Sequence, residues 1–233
     1  MTDGRVKTLL LPMEVRTAGP PRPLPRCPYV FNDMRVAPAE RPAAFGADFE
    51  PSTIIAAYQA GAFPWPHDGE ELLWFSPDPR AIIPIGGLHV SRRLARTLRQ
   101  GRFQITVDAC FAEVMQACAD RDEGTWITPR LIDGYTRLHA LGWAHSVEAW
   151  TADGVLAGGL YGIRVGQMFG AESMFHTVTD ASKAAMAGLM QWVEAERITL
   201  VDVQVLNPHT ASMGAVEIPR SEYLARLREA IGE

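Results

Sequence analysis

The pattern of strand and turn signals between residues 144 and 206 restricts the possible folds more than any other part of this sequence. Two strands are predicted on either side of the turn Ala152-Asp153-Gly154, and a third strand follows over residues 167–175. Residues 180–196 repeat apolar side chains at helical spacing, and residues 198–206 predict a last strand. Three antiparallel strands, a helix and one further strand are therefore expected in this region.

The chain before residue 144 carries signals for further helices and a strand. A serine, threonine or aspartate at a helix start and a glycine after its end are the usual capping residues. The predicted elements are, in order, a helix from Ser52 to Gly61, a helix from Ser91 to before Gly101, a strand over residues 103–107, a helix capped by Asp108 and a helix from Thr128 to Gly142. This mixture predicts an α+β protein.

Composition divides the chain into three predicted segments. Residues 12–42 contain eight prolines, which favours an extended or partly disordered arm packed over the body, and we place this arm at residues 1–44. Residues 45–105 are predicted to form a small N-terminal α+β domain with a basic helix. Residues 106–233 are predicted to form a catalytic domain of the acetyltransferase-like (GNAT-like) type, with a mixed or antiparallel sheet and flanking helices.

Composition and charge exclude several classes of function. The 233 residues are 47% hydrophobic, but no run approaches the roughly 18 apolar residues of a membrane span, so no membrane association is expected. The chain has three cysteines, Cys27, Cys110 and Cys118, and their spacing is not that of a metal site. An odd number of cysteines suits a reducing compartment, which favours a cytoplasmic location. The net charge of −5 means that RNA could bind only at a local basic patch. Nothing in the sequence requires more than a monomer.

The helix that begins at Ser91 provides such a basic patch. Its four arginines are Arg92, Arg93, Arg96 and Arg99. At about 100° per residue they fall within about a third of the helix circumference, with leucines on the opposite side. An unpaired basic stripe on an acidic protein suits a tRNA acceptor stem. The alternative is a solvated face neutralised by nearby acids.

Polar side chains interrupt the last predicted strand. Because side chains alternate along a strand, Asp202 and Gln204 are expected on one face and Val201 on the other. On the preceding strand, Glu172 and Met174 share a face. If the two strands are neighbours, two carboxylates and an amide converge on one cleft. The alternative is that these groups satisfy backbone groups or pair with basic side chains.

A series of short motifs in fixed order resembles one protein family. The motifs are Phe63-Pro64-Trp65, Trp74-Phe75-Ser76-Pro77-Asp78-Pro79-Arg80, Thr125-Trp126-Ile127, Gly158-Gly159-Leu160-Tyr161-Gly162, Glu172-Ser173-Met174-Phe175, Ala181-Ser182-Lys183 and Val201-Asp202-Val203-Gln204-Val205-Leu206-Asn207-Pro208-His209. They resemble those of the leucyl/phenylalanyl-tRNA–protein transferases over residues 45–225. Ala171 and Asp180 stand where this family usually has glycine and asparagine.

This resemblance implies an aminoacyltransferase of the N-degron protein degradation pathway. Such an enzyme moves leucine, phenylalanine or methionine from aminoacyl-tRNA to the α-amine of proteins that begin with Arg or Lys. Because aminoacyl-tRNA is an activated ester, neither a cofactor nor a metal is expected. The attacking amine, with a pKa of about 7.7–8.0, needs only a proton acceptor and correct positioning.

The resemblance also implies roles for individual residues. Asp202 would assist the amine, while Gln204 and Glu172 would orient it or hold the acceptor's basic side chain. The predicted pocket for the apolar aminoacyl group comprises Leu160, Phe169, Met174, Leu189 and Val201, and the predicted nucleotide site comprises Trp74, Trp126 and Asn207. The alternative for these apolar and aromatic residues is plain core packing.

Two other functions fit parts of the pattern. An acyl-CoA-dependent N-acetyltransferase would share the fold, but residues 164–170 lack the glycine spacing that cradles a pyrophosphate. A non-catalytic binder of basic N-termini would use Glu172 and Asp202 for recognition only. The predicted pocket for an apolar aminoacyl group and the arginine-rich helix argue against that binder, because it would need neither.

Covalent catalysis is a third alternative, with Cys110 or Cys118 as nucleophile and His145 or His209 as base. Both cysteines fall on or near the core face of the helix after Asp108. Buried thiols are usually inert, so a direct transfer is favoured.

Overall fold

A computed structural model of the chain describes residues 11–16, 19–66, 71–120 and 124–232. These residues form seven α-helices and eleven β-strands. The helices are α1 (Pro51–Ala60), α2 (Arg92–Arg99), α3 (Phe111–Ala119), α4 (Pro129–Ala140), α5 (Ala181–Ala195), α6 (Pro208–Ser212) and α7 (Arg220–Ile231). The strands are β1 (Met13–Val15), β2 (Ala44–Phe45), β3 (Phe63–Pro64), β4 (Leu73–Phe75), β5 (Arg80–Ile83), β6 (Gln104–Val107), β7 (Ala144–Trp150), β8 (Leu156–Val165), β9 (Met168–His176), β10 (Leu200–Gln204) and β11 (Val216–Ile218).

Eight strands form one mixed sheet in the order β1-β6-β7-β8-β9-β10-β5-β11. The pairs β1–β6 and β9–β10 are parallel, and the other neighbours are antiparallel. Because β9 and β10 run parallel, a long crossover must join them, and α5 provides it. A second, small antiparallel sheet has the order β2-β4-β3. The predicted α+β class with a mixed sheet is confirmed.

Helices cover both faces of the large sheet. α5 lies against β7 and β8 on one face, where its Leu189 and Trp192 are buried. α1, α3, α4 and α7 cover the other face, where Tyr58, Tyr135 and Tyr223 are buried. Alternate residues of the central strands therefore enter two separate apolar cores. None of the described helices combines the length and apolar character needed to cross a membrane.

Several predicted helix ends are confirmed. The side chains of Ser91 and Thr128 cap α2 and α4 by accepting hydrogen bonds from backbone N–H groups of the first turn. Gly61 ends α1 with a φ of 92°, a left-handed conformation that costs glycine little because it has no Cβ. α1 begins at Pro51 rather than Ser52, since proline is favoured at the first helical position.

The predicted cap of the third helix is wrong. α3 begins at Phe111, and Asp108 lies before it in the left-handed region with a φ of 60°. The Asp108 carboxylate accepts a hydrogen bond from the backbone N–H of Ser146 at 2.9 Å and lies 2.8 Å from Nδ1 of His145. Asp108 therefore joins the end of β6 to β7 instead of capping a helix.

The large sheet takes strands from all three predicted segments. β1 comes from the Pro-rich arm, β5 and part of β6 come from residues 45–105, and the remaining strands come from the C-terminal segment. The predicted boundaries at residues 44 and 105 therefore do not coincide with the limits of the sheet. Residues 1–10, 17 and 18 of the predicted arm lie outside the described residues.

Buried side chains hold the Pro-rich arm against the body. Met34, in a short 3₁₀ turn, is 2% exposed within the core next to α1 and α7. The guanidinium of Arg220, at the start of α7, donates hydrogen bonds to the carbonyl oxygens of Ala37, Pro38 and Ser76. Met34, Ala37 and Pro38 of this segment therefore lie against the body.

Candidate functional site

The candidate site opens where two parallel strands of the large sheet separate. β9 and β10 are paired up to Gly170 and Asp202. Beyond this point β9 continues to His176, while β10 has a bulge between Asp202 and Gln204. A cavity of about 420 Å³ lies between the diverging strands.

The lining of the cavity is mainly apolar, with a few polar groups. Its apolar side chains are Phe63, Pro64, Trp65, Trp126, Leu160, Ala171, Met174, Met186, Val203 and Val205. Its polar side chains are Glu172, Ser173, His176, Ser182, Gln204, Asn207, His209 and Thr210. A concave apolar surface with a small set of placed polar groups is typical of a site for a small ligand or a chain end.

Glu172 is the carboxylate that lines the cavity. Its Oε1 accepts hydrogen bonds from the Tyr58 hydroxyl and, at 3.3 Å, from Nε2 of Gln204. Burial raises the pKa of Glu172 to about 8; the hydrogen bond from Tyr58 opposes this shift, and the nearby charge of Asp202 adds to it. Tyr58 is fixed in turn by Tyr135, with 3.3 Å between the hydroxyl oxygens. Glu172 therefore changes its protonation state near neutral pH.

Asp202 forms a buried ion pair beneath the cavity. Both Asp202 and Arg80 have 0% of their side chains exposed, and Nε and Nη2 of Arg80 donate to the two carboxylate oxygens at 2.9 and 2.6 Å. The Tyr223 hydroxyl donates a further hydrogen bond at 3.0 Å. The Arg80 guanidinium is also enclosed by aromatic rings, 4.8 Å from the Phe63 centroid and 4.4 Å from that of Tyr223. Asp202 is thus fully occupied by structural partners.

Because of the bulge in β10, the side chains of Gln204 and Asp202 point in different directions. Gln204 has a φ of 59°, and its backbone N–H donates to Oδ1 of Asp202 at 2.9 Å. Its side chain lines the cavity and reaches Glu172. The prediction that strand alternation aligns Asp202 with Gln204 is therefore wrong, because a bulge breaks the period of two. The expected convergence holds for Glu172 and Gln204, whereas Asp202 lies behind them.

The predicted aminoacyl pocket divides into two groups. Leu160 and Met174 line the cavity. Phe169, Leu189 and Val201 do not line it and pack in the core beside α5. For these three residues the structure supports the core-packing alternative.

The predicted nucleotide site divides in the same way. Trp126 and Asn207 line the cavity. Trp74 is fully buried, its Nε1–H donates to the carbonyl oxygen of Gly46 at 3.0 Å, and its ring lies edge-on to Phe31. The Trp74 ring is consequently enclosed in the core, where a base could not stack on it.

The roles implied by the motifs leave out several residues of the cavity. Trp65, Ser182 and His209 occur within those motifs, so a signal for them is present in the sequence. Met186 has the spacing of a core residue, so the sequence gives no signal for its place on the cavity. His209 has Nε2 3.1 Å from Sδ of Met174, and partial burial lowers its pKa, which favours the neutral ring.

The basic helix α2 presents its arginines to solvent. Arg92, Arg93, Arg96 and Arg99 lie on its outer face, while Leu94 is 2% exposed and packs inward. Three of the four arginines line a recess of about 320 Å³ whose members are Arg92, Arg93, Arg96, Thr97, Gln100, Arg102 and Asp180. The predicted amphipathic arrangement of α2 is confirmed.

The cysteines and His145 lie outside the cavity lining. Cys118 is buried on α3, and burial raises the pKa of Cys110 to about 12, which leaves almost no thiolate near neutral pH. His145 is 4% exposed and is held by Asp108. Among the described residues, no group of three or more His, Cys, Asp or Glu side chains is placed to bind a metal ion.

Comparison with known sequences places the chain in a family. A family model described as leucyl/phenylalanyl-tRNA protein transferase matches residues 82–228, and a model of the N-terminal domain of the same family matches residues 47–78. This chain belongs to the leucyl/phenylalanyl-tRNA–protein transferase family. The resemblance predicted from the short motifs is confirmed.

Individual family members cover most of the chain. The leucyl/phenylalanyl-tRNA–protein transferase of Anaeromyxobacter sp. (strain K) is 46% identical over 212 residues, which is 89% of this chain and 90% of that protein. The protein of the same name from Solidesulfovibrio magneticus is 45% identical over 205 residues, or 86% of this chain and 83% of that protein. A solved structure of L-PGS from Bacillus licheniformis aligns over 69% of this chain and 54% of its own, with 14% identity and a TM-score of 0.38.

Proposed function

We propose that the chain transfers leucine, phenylalanine or methionine from aminoacyl-tRNA to the α-amine of proteins that begin with Arg or Lys, as in an N-degron pathway in the cytoplasm, and that it acts as a monomer. Family membership gives the reaction class. The observation that carries the proposal is one cavity in which Leu160, Met174 and Met186 lie beside Glu172 and Gln204. The apolar side chains suit the aminoacyl group, and the polar side chains suit the cationic N-terminus that attacks it. The reaction needs both kinds of surface next to each other.

The separation of β9 and β10 supports a GNAT-like arrangement of the catalytic segment. In this proposal, the acyl donor and the acceptor meet in the gap between these two parallel strands. The part of β9 beyond its pairing with β10 supplies Glu172 and Met174, and the bulge of β10 supplies Gln204. Phe63 of β3 and Trp65, which directly follows β3, line the same cavity.

In the proposed reaction, Glu172 accepts the proton of the attacking amine. The amine nitrogen bonds to the ester carbonyl carbon, the bond from that carbon to the terminal ribose oxygen breaks, and the proton passes through Glu172 to this leaving oxygen. The reaction therefore balances without a further reactant. The pKa of Glu172, about 8, matches the roughly 7.7–8.0 of an α-amine, so the proton moves between groups of similar basicity. Gln204 holds Glu172 by its hydrogen bond and faces the incoming amine.

Asp202 acts in this proposal as a positioning residue. Its carboxylate binds Arg80 and Tyr223 and accepts the backbone N–H of Gln204, so it fixes the bulge that aims the amide. The sequence motifs favoured Asp202 as the group that assists the amine. Glu172 is the better candidate because it lines the cavity, whereas Asp202 has no exposed side-chain surface.

A transfer assay tests the proposed function directly. Purified protein is incubated with tRNA charged with labelled leucine and with a peptide that begins with Arg, and we expect label in the peptide without an added cofactor. A peptide with a blocked N-terminus serves as the control and should remain unlabelled. Acyl transfer only after addition of acetyl-CoA would instead identify an N-acetyltransferase. Binding of the peptide without any transfer would identify a non-catalytic binder.

The outward-facing arginines of α2 are proposed to bind the tRNA acceptor stem. Replacing Arg92, Arg93 and Arg96 by glutamine should weaken tRNA binding and reduce the slope of log Kd against log salt by about 0.7–0.9 for each phosphate that the helix no longer neutralises. Filter binding over a range of salt concentrations measures this slope. The matched control replaces Arg35, Arg137 and Arg226, which are also solvent-accessible but lie elsewhere on the surface. A slope that changes equally in both triple variants would contradict the role of α2.

A further inference from the structure

The first turn of α5, residues 181–183, borders the cavity with unused hydrogen-bond donors. α5 is 15 residues long, and its N-cap residue Asp180 makes no side-chain capping bond to it. The N–H of Ala181 donates to Val178 at 3.1 Å and that of Ala184 to Asp180 at 2.9 Å, whereas the N–H groups of Ser182 and Lys183 have no acceptor among the described residues. The start of a long helix carries a partial positive charge and binds anions readily.

The Ser182 hydroxyl is a second, independent sign of a ligand. Ser182 is 2% exposed and lines the cavity, yet its hydroxyl has no hydrogen-bond partner within the described parts of the chain. The hydroxyl faces the cavity and is therefore available to a hydrogen-bonding group that enters it. Gly158 lets β8 pack closely against the start of α5, because a Cβ at this position would lie 2.9 Å from the Ser182 nitrogen.

The charges around this turn favour an anion. Lys183 belongs to the turn itself. Arg93 of α2 is held next to the turn by its ion pair with Asp180, the N-cap residue of α5. The Asp180 carboxylate, at the start of the helix, is already bound by Nε of Arg93 at 3.1 Å and by the Thr97 hydroxyl at 3.3 Å. The basic recess at α2 and the cavity therefore meet at this turn.

We propose that residues 181–183 bind the phosphodiester that joins the last two nucleotides of aminoacyl-tRNA. This assignment rests on the proposed function, since it places the aminoacyl ester in the cavity. The phosphate on the 5′ side of the terminal nucleoside is the nearest anion to that ester, and it would accept hydrogen bonds from the Ser182 hydroxyl and the free N–H groups. The next phosphates of the strand would then reach the arginines of α2.

The test compares donors that differ by one phosphate. Transfer is measured with 3′-O-leucyladenosine and with its 5′-monophosphate, and the preference is the ratio of their kcat/KM values. Ser182→Ala should lower this preference about tenfold, the effect of losing one hydrogen bond to a charged group. Ser221→Ala is the matched control, since Ser221 is the exposed second residue of α7. It should keep the wild-type preference.

The possible results separate this assignment from the proposed function. Equal losses with both donors in Ser182→Ala, or a wild-type protein that transfers from leucyl-tRNA without preferring the phosphorylated adenosine, would overturn the phosphate site alone. No transfer from leucyl-tRNA by the wild type would overturn the proposed function. Lys183→Gln, which changes a partly exposed side chain, should also lower the preference and provides the test if Ser182→Ala fails to fold.

Discussion

Replacing Asp202 by asparagine is expected to lower the free energy of unfolding by about 3–5 kcal/mol, because it leaves the buried Arg80 guanidinium without its counter-charge. Arg80 has 0% of its side chain exposed and is enclosed by Phe63 and Tyr223, so water cannot replace the carboxylate. Urea denaturation followed by circular dichroism measures the change. If Asp202 were mainly a proton acceptor that faces the substrate, its replacement would cost activity but little stability.

The ion pair between Glu50 and Arg137 provides a matched control for this prediction. It has the same two-pronged geometry, with distances of 2.9 and 2.6 Å, but its side chains are 54% and 46% exposed. Glu50→Gln should therefore cost at most about 1 kcal/mol, since solvent screens exposed pairs. If Asp202→Asn and Glu50→Gln lowered the free energy of unfolding equally, burial would not be the reason for the large contribution of the Asp202 pair to stability.

Replacing Glu172 by glutamine is expected to lower kcat/KM for leucyl transfer by about 100-fold or more, the usual contribution of a placed proton acceptor. The amide has nearly the same shape and can still accept the hydrogen bond from Tyr58, so the variant should fold. Steady-state assays with leucyl-tRNA and an Arg-peptide measure the loss. Glu217→Gln, an exposed position on the edge strand β11, is the control and should retain activity. A loss of less than about threefold in Glu172→Gln would remove Glu172 from the chemistry.

Glu172 also predicts a pH dependence of stability. Its pKa is about 8 in the folded chain against an ordinary value of 4.5, so the folded state binds this proton more tightly than the unfolded state does. The stabilisation is fully present below pH 4.5 and is lost as the pH rises toward 8. Unfolding free energies measured between pH 5 and 8.5 should fall more in the wild type than in Glu172→Gln. Parallel curves for the two proteins would contradict the raised pKa.

Local sequence signals predicted α1 to α5 and β6 to β10, but not α6, α7 or the remaining strands. Helix caps at Ser91 and Thr128, the glycine stop at Gly61 and the strands around residues 152–154 depend on neighbouring residues alone. The basic face of α2 follows from helix geometry in the same way. The placement of β5 between β10 and β11 does not, because it pairs residues far apart in the chain.

The site was predictable only in part, because a bulge in β10 changes which side chains reach the cavity. Glu172 and Gln204 meet as the neighbouring strands suggested, but the φ of 59° at Gln204 interrupts the alternation on which the position of Asp202 depended. Nothing in the pattern of residues 198–206 marks a bulge. Phe169 and Val201 belong to the core since β9 and β10 are still paired at these residues, and only the residues beyond line the cavity.

The separation of β9 and β10 has a consequence for solubility. A strand edge with unpaired backbone groups normally invites pairing with another chain, which leads to aggregation. Beyond Gly170, the edge of β9 that faces β10 has no strand partner among the described residues, yet it borders a cavity enclosed by α5, α6, Phe63 and Trp65. The part of β9 beyond its pairing with β10 thus lies beside the candidate site, in a position that a second sheet cannot reach.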